Sequence, residues 1–158
     1  MPTRGDVERK AREYLWTPFA HQGRIKGRRG RLDCVGLALC VADELGILDR
    51  HGVPLLRWDH ANYAMQPLGE EILQICLDRL IEKPRTAAGE LPRILAGDVL
   101  IMRVPSVLSH AAIASTVHGA LGIIHGYGGG TRLTVEHRVD HKWMRRIDSV
   151  FEFPGVTD

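Results

Sequence analysis

Cysteine is scarce in this sequence: the 158 residues include three, Cys34, Cys40 and Cys76. An odd, low number without paired spacing argues against a disulfide framework. Long apolar runs are missing too. None approaches the ~18 to 20 residues needed to cross a bilayer, so no membrane span is expected. The opening MPTRGDVERKAREYLW carries charge but lacks the apolar stretch of a secretion signal. The expectation is synthesis in a cytoplasm, with a route other than general secretion if the protein acts outside it. Nor is there a large excess of one charge: the net value of +2 excludes a whole-surface polyanion binder. The charge is uneven, because RIKGRRGR at 24–31 holds Arg24, Lys26, Arg28, Arg29 and Arg31. No aromatic residues interleave with these cations, which argues against a nucleic-acid partner. A solvated loop or contact with another anionic polymer are the readings left.

What is present suits one domain with one core. Hydrophobic residues make up 44% and charged residues 25%, an ordinary globular balance. Residues 6–15 suit a short helix with Asp6 as N-cap, and Pro18 and three glycines then predict loop to Arg31. From Asp33 the apolar residues Leu37, Val41 and Leu45 recur at helical spacing, and Gly46 closes the helix. Residues 49–67 read as irregular and 68–80 as a third helix. The second half changes period. Strands are predicted at 96–104, 109–116, 120–127 and 131–137, with a short one at 149–153. Helices first and an antiparallel sheet second make an α+β domain.

Cys34 follows an N-cap candidate, Asp33, and so falls in the first helical turn. Unpaired N–H groups and the helix dipole favour negative charge there, which predicts a lowered thiol pKa. Gly36 predicts open space beside the sulfur for a substrate backbone. Cys40 and Cys76 read as small buried side chains. A nucleophilic cysteine needs a base and a group to orient it. Of eight histidines, most read as loop or surface residues. His110 and His125 differ, because each sits in an apolar strand. A two-residue turn at His118-Gly119 sets Ala112 opposite His125 and leaves His110 one diagonal step away on the same face. One cysteine and two histidines also suit an open zinc site. No CxxC, HxH or HExxH spacing supports that reading, and no metal or cofactor is expected.

RLDCVGLALCVADELG resembles the nucleophile helix of the NlpC-type cysteine peptidases, a papain-like clan that cuts cell-wall peptides. The family's Asp-Cys-Ser-Gly-Leu reads Asp33-Cys34-Val35-Gly36-Leu37 here. AGDVLIMRVPSVLSHAAIAS is similar to the family's Pro-Gly-Asp-Leu strand and the following His-Val-Gly-Ile. GIIHG is similar to its next strand, which carries the third catalytic residue. WTPFAHQGR and the closing FEFPGV resemble a branch encoded by tailed bacteriophages. The resemblance covers both ends and most of the second half, and residues 49–90 match nothing specific. It implies a papain-like α+β fold, with N-terminal helices and a helix-start nucleophile packed on an antiparallel sheet. It assigns nucleophile to Cys34, base to His110 and orienter to His125. Phe19 stands where the family often has a substrate-side tyrosine, and Asp33, Gly36 and Ser109 complete the expected substrate-binding set. The implied substrate is a peptidoglycan stem peptide, with other phage tail proteins as partners and a virion tail as destination. A tail component that no longer cuts, or a papain-like amidase or acyltransferase on a non-wall substrate, are the alternatives.

Overall fold

Thr3 and Asp6 start the chain's first helix by a reciprocal bond. The Thr3 side chain accepts from the Asp6 N–H and the Asp6 carboxylate takes the Thr3 N–H, a capping box. Helix α1 (Arg4–Arg12) therefore begins two residues before the predicted start, and Asp6 lies inside its first turn rather than at the N-cap. It also ends early: the N–H groups of Glu13, Tyr14 and Leu15 bond the carbonyls of Lys10, Ala11 and Arg12 three residues back, and Trp16 then takes a left-handed φ of 69°. The computed structural model describes residues 1–58, 71–104, 108–127 and 130–158, with the backbone alone for Leu108 and Ser109. The predicted first turn of the third helix, residues 68–70, lies outside them.

The predicted loop at 16–31 holds a small antiparallel pair, β1 (Arg24–Ile25) and β2 (Arg31–Leu32). Its cations are partly spent inside the molecule. Arg24 bonds Asp33 at 2.8 Å, and Lys26 reaches both Glu13 and Glu44 at 3.0 Å. Arg28, Arg29 and Arg31 stay exposed. Helix α2 (Cys34–Glu44) has Asp33 as N-cap, as its sequence implies, and buries Leu37, Leu39, Cys40, Val41 and Ala42.

After a 3-10 turn at Leu55–Trp58 come α3 (Glu71–Arg79) and the strands β3 (Ile81–Lys83), β4 (Val99–Arg103), β5 (Leu108–Val117), β6 (Ala120–Gly126) and β7 (Thr134–Arg138). Helix α4 (His141–Met144) and β8 (Ile147–Glu152) close the chain. The sheet runs β3-β8-β4-β5-β6-β7, antiparallel at each pairing. Strand β3 and helix α4 carry no strong sequence signal. The first is held by its ladder to β8 and the second by Asp140, whose side chain accepts from Lys142 and Trp143.

Strand alternation divides the core into two layers. Ile101, Ala111, Ile113, Ile124 and Phe151 meet α1 and α2 on one face. Leu100, Met102, Ala112, Ala114, Ile123 and Val150 pack with Trp143 on the other. A buried Asp98 ties α1 to the sheet by accepting from Arg4, Lys83 at 2.8 Å and the Leu95 N–H at 2.8 Å. The fold is α+β with an antiparallel sheet. Among the described residues no helix is long and apolar enough to cross a membrane.

Candidate active site

The cysteine side of the site is built by Asp33. Its carboxylate takes the Gly36 N–H at 2.7 Å, the Arg24 guanidinium at 2.8 Å and the Gln22 N–H at 2.6 Å. These bonds pin the 22–24 segment to the start of α2. Asp33 is buried, and it holds the helix start. The room predicted beside Gly36 is likewise occupied. A Cβ there would strike the Gly23 carbonyl and come within 2.6 Å of Arg24 Nη1. Gly36 thus permits a close approach within the chain, and the room expected beside it is filled by the 23–24 segment. Phe19 is half-buried and bridges to Leu32. The Ser109 side chain lies outside the described residues.

The histidine side is built by the β5–β6 hairpin. His118 and Gly119 have φ of 50° and 75°, the two left-handed residues of a tight hairpin turn. The resulting register pairs Ile113 with Ile124 and Val117 with Ala120, the one read from the sequence. His110 and His125 fall on one face, both buried, and His110 Nε2 lies 2.7 Å from His125 Nδ1. Their rings meet edge-on at 5.0 Å. A third ring joins them. His125 Nε2 is 3.0 Å from His137 Nε2, and His137 Nδ1 is 2.8 Å from the Arg138 carbonyl. The sequence reading set His137 aside as a surface residue. Its place on β7, two positions beyond Val135, the partner of His125, puts it on the same face. Trp143 stands edge-on to His125 at 4.9 Å, and Tyr127 stacks on His125 at 5.7 Å.

Helix and histidines approach β5 from opposite faces. His110 pairs with Met102 and so shares the Trp143 face, whereas Cys34 packs with the α2 layer. They converge at a fork. The β5–β6 ladder runs from Val117–Ala120 to Ile113–Ile124 and stops, although both strands continue. The start of α2 sits at this opening. Asp33 main-chain atoms lie 3.3 to 3.6 Å from where a Gly126 Cβ would be, and the Cys34 sulfur is within reach of the Ala111 N–H. Ala111 follows His110 directly. No hydrogen bond joins Cys34 to His110 among the described residues.

Burial governs the charges. It pushes the Cys34 thiol up to about 12, and the adjacent Asp33 carboxylate adds to the rise; N–H groups of Ala111, Val35 and Cys34 oppose it. The predicted lowering is therefore reversed: desolvation of the thiolate outweighs the helix start. Burial also lowers His110 to about 4, helped by the Arg146 charge, and His125 to about 2, helped by His110 and His137. At neutral pH the resting site holds a thiol on Cys34 and uncharged rings on His110 and His125. Cys76 is also raised to about 12 by burial. It lines an apolar cavity of about 60 Å³ beneath α2, together with Val35, Ile101 and Ala111.

No protein family's profile and no curated protein matches this sequence. Solved structures do. A structure described as an N-acetylmuramoyl-L-alanine amidase from Bacteroides uniformis aligns with a TM-score of 0.51 at 15% identity, covering 94% of this chain and 96% of that one. A second structure described in the same words aligns at 0.48 and 16% identity over 92% and 97% of the two chains. At such identity the first likeness speaks to the fold, and the α+β arrangement described above is one that the amidase structure shares.

Proposed function

We propose that this chain is a cysteine-dependent hydrolase of amide bonds in peptidoglycan, built on the papain-like NlpC plan. Cys34 is the nucleophile, His110 the base and His125 its orienter. The observation that carries this reading is the 2.7 Å bond between His110 and His125, one residue from the main chain that the Cys34 sulfur reaches. The neutral resting pair defines the first step. As Cys34 Sγ closes on the substrate carbonyl carbon, its proton passes to His110, so the thiolate never stands free. The carbonyl π electrons move to oxygen, and the N–H of Cys34, in the first turn of α2, supports the oxyanion. His110 returns the proton to the leaving amine as the C–N bond breaks, leaving a thioester. Water, deprotonated by His110, then releases the acid and restores the thiol. His125 keeps the His110 ring oriented throughout.

The wall substrate rests on the sequence resemblance and on the fold shared with a structure described as an N-acetylmuramoyl-L-alanine amidase. The phage resemblance adds a location in a virion tail, with other tail proteins as partners. Exposed Arg28, Arg29 and Arg31 suit contact with an anionic wall. A second reading, a tail component of the same fold that no longer cuts, is favoured by the raised thiol and the unmade Cys34–His110 bond.

Digestion of purified peptidoglycan by wild type, Cys34→Ala and His110→Ala, with mass spectrometry of the fragments, decides between them. Cutting by wild type alone supports the proposal. Cutting by Cys34→Ala removes Cys34 as nucleophile, and no cutting by any of the three favours the silent component. Fragment masses separate an endopeptidase, which cuts within the stem, from an amidase that frees the stem from the sugar.

A further inference from the structure

We propose that His137 is a positioning residue that sets the tautomers of His125 and His110 and leaves His110 Nδ1 as the bare, basic nitrogen. That Nδ1 serves as the base rests on the function proposed above; the tautomer assignment itself does not. The relay starts from an atom with no choice. A backbone carbonyl only accepts, so His137 Nδ1, 2.8 Å from the Arg138 oxygen, carries a hydrogen. With one N–H per ring across the chain of three, His137 Nε2 is bare. His125 Nε2, 3.0 Å away, must donate to it, which strips the hydrogen from His125 Nδ1. His110 Nε2, 2.7 Å from that nitrogen, must donate in turn. His110 Nδ1 is left with its lone pair, and among the described residues no hydrogen bond occupies it.

Any other assignment of three neutral rings sets two hydrogens or two lone pairs face to face at one link. Both inner rings are buried, so water offers little relief from such a mismatch. Within an imidazole, Nδ1 is the nitrogen nearer the main chain. The one left bare is therefore on the side of the β5 backbone, which the Cys34 sulfur approaches at Ala111. Glu136 does not interfere, because it is turned to Arg12, which it binds at 2.8 Å.

The test is long-range proton–nitrogen NMR of the full chain labelled with 15N-histidine near pH 7.5, with rings assigned by single substitutions. The expected pattern is Nε2–H on His110 and His125 and Nδ1–H on His137. In His137→Ala, His125 loses its acceptor, so both inner rings become tautomer mixtures, and kcat for peptidoglycan falls about three- to tenfold with KM unchanged. His137→Gln, whose side-chain oxygen can accept in place of Nε2, restores the tautomers and kcat. Nδ1–H on His110 in the wild type, or a His110 tautomer indifferent to His137→Ala, overturns the relay even if cutting depends on Cys34 and His110. The expected tautomers in a protein that cuts nothing uphold the relay and sink the peptidase. Should His137→Ala fail to fold, the wild-type and His137→Gln spectra still decide.

Discussion

Replacing Asp33 by asparagine separates the charge beside Cys34 from the cap that starts its helix. One Asp33 oxygen holds both the Gly36 N–H and Arg24, and the other holds the Gln22 N–H. An asparagine carbonyl keeps the first pair. Its NH2 then faces the Gln22 N–H, donor against donor, and the bond to Arg24 loses its charge assistance. A buried donor left without a partner costs roughly 1–3 kcal/mol. We expect a stability loss of about 2 kcal/mol and a fall in Tm of about 4–8 °C for a chain of this length. The thiol moves the other way. The Asp33 charge is the second cause of the rise to about 12, and a neighbouring charge shifts a pKa by roughly one unit or more. Removing it gives about ten times more thiolate at any pH below that value. The assay is alkylation of folded protein by iodoacetamide between pH 7 and 10, with each cysteine read by peptide mass spectrometry. Cys34 in Asp33→Asn is expected to react about tenfold faster than in wild type, while Cys76 does not change. An unchanged or slower Cys34 rate in a folded variant would refute the electrostatic account of this thiol.

Gly36→Ala drives a Cβ onto the main chain at Gly23 and onto Arg24, so its urea midpoint should fall by an amount equal to about 1–3 kcal/mol; an unchanged midpoint would mean that the space is open after all. Gly126→Ala places a Cβ 3.3 Å from Asp33, a contact that costs below about 1 kcal/mol in stability but lifts the start of α2 from the fork. Its kcat should drop more than its stability, and full turnover would show that the wedge does not position the sulfur. Acid should weaken the fold through His110, whose native pKa of about 4 lies below the ordinary 6.5. Between those values the unfolded chain binds a proton that the native one does not, so stability is complete above pH 6.5 and falls as pH drops, by about 3 kcal/mol at pH 4. Urea midpoints across that range should slope less in His110→Gln than in wild type, and equal slopes would remove His110 as the cause.

Local chemistry made much of this molecule readable in the sequence. Asp33 caps α2 because a short carboxylate ahead of an apolar helical stretch has few better uses. His118-Gly119 turns the hairpin because its two left-handed positions suit those residues, and that turn alone sets the register bringing His110 to His125. The differences have two sources, one local and the rest tertiary. Thr3 displaced Asp6 as N-cap through a bond that either residue can begin. The space beside Gly36 is filled by the 22–24 segment, a contact that no pattern around Gly36 or Asp33 announces. His137 sits two residues past a partner of His125, a relation that exists only once β6 and β7 are paired.

The same distinction explains why the thiol was misjudged. A helix start lowers a thiol pKa when water or a cation shares the site, and both conditions are tertiary. Here α2 is pressed against the sheet by Leu37, Val41 and the 22–24 segment, and Asp33 supplies negative charge rather than positive. Only the ending of the β5–β6 ladder after Ile113–Ile124 gives the sulfur a way toward the histidine face. The proposed chemistry therefore depends on an interruption of the sheet. A hairpin zipped on through Ala112 and His125 would keep every residue of the site and close the fork through which they must meet.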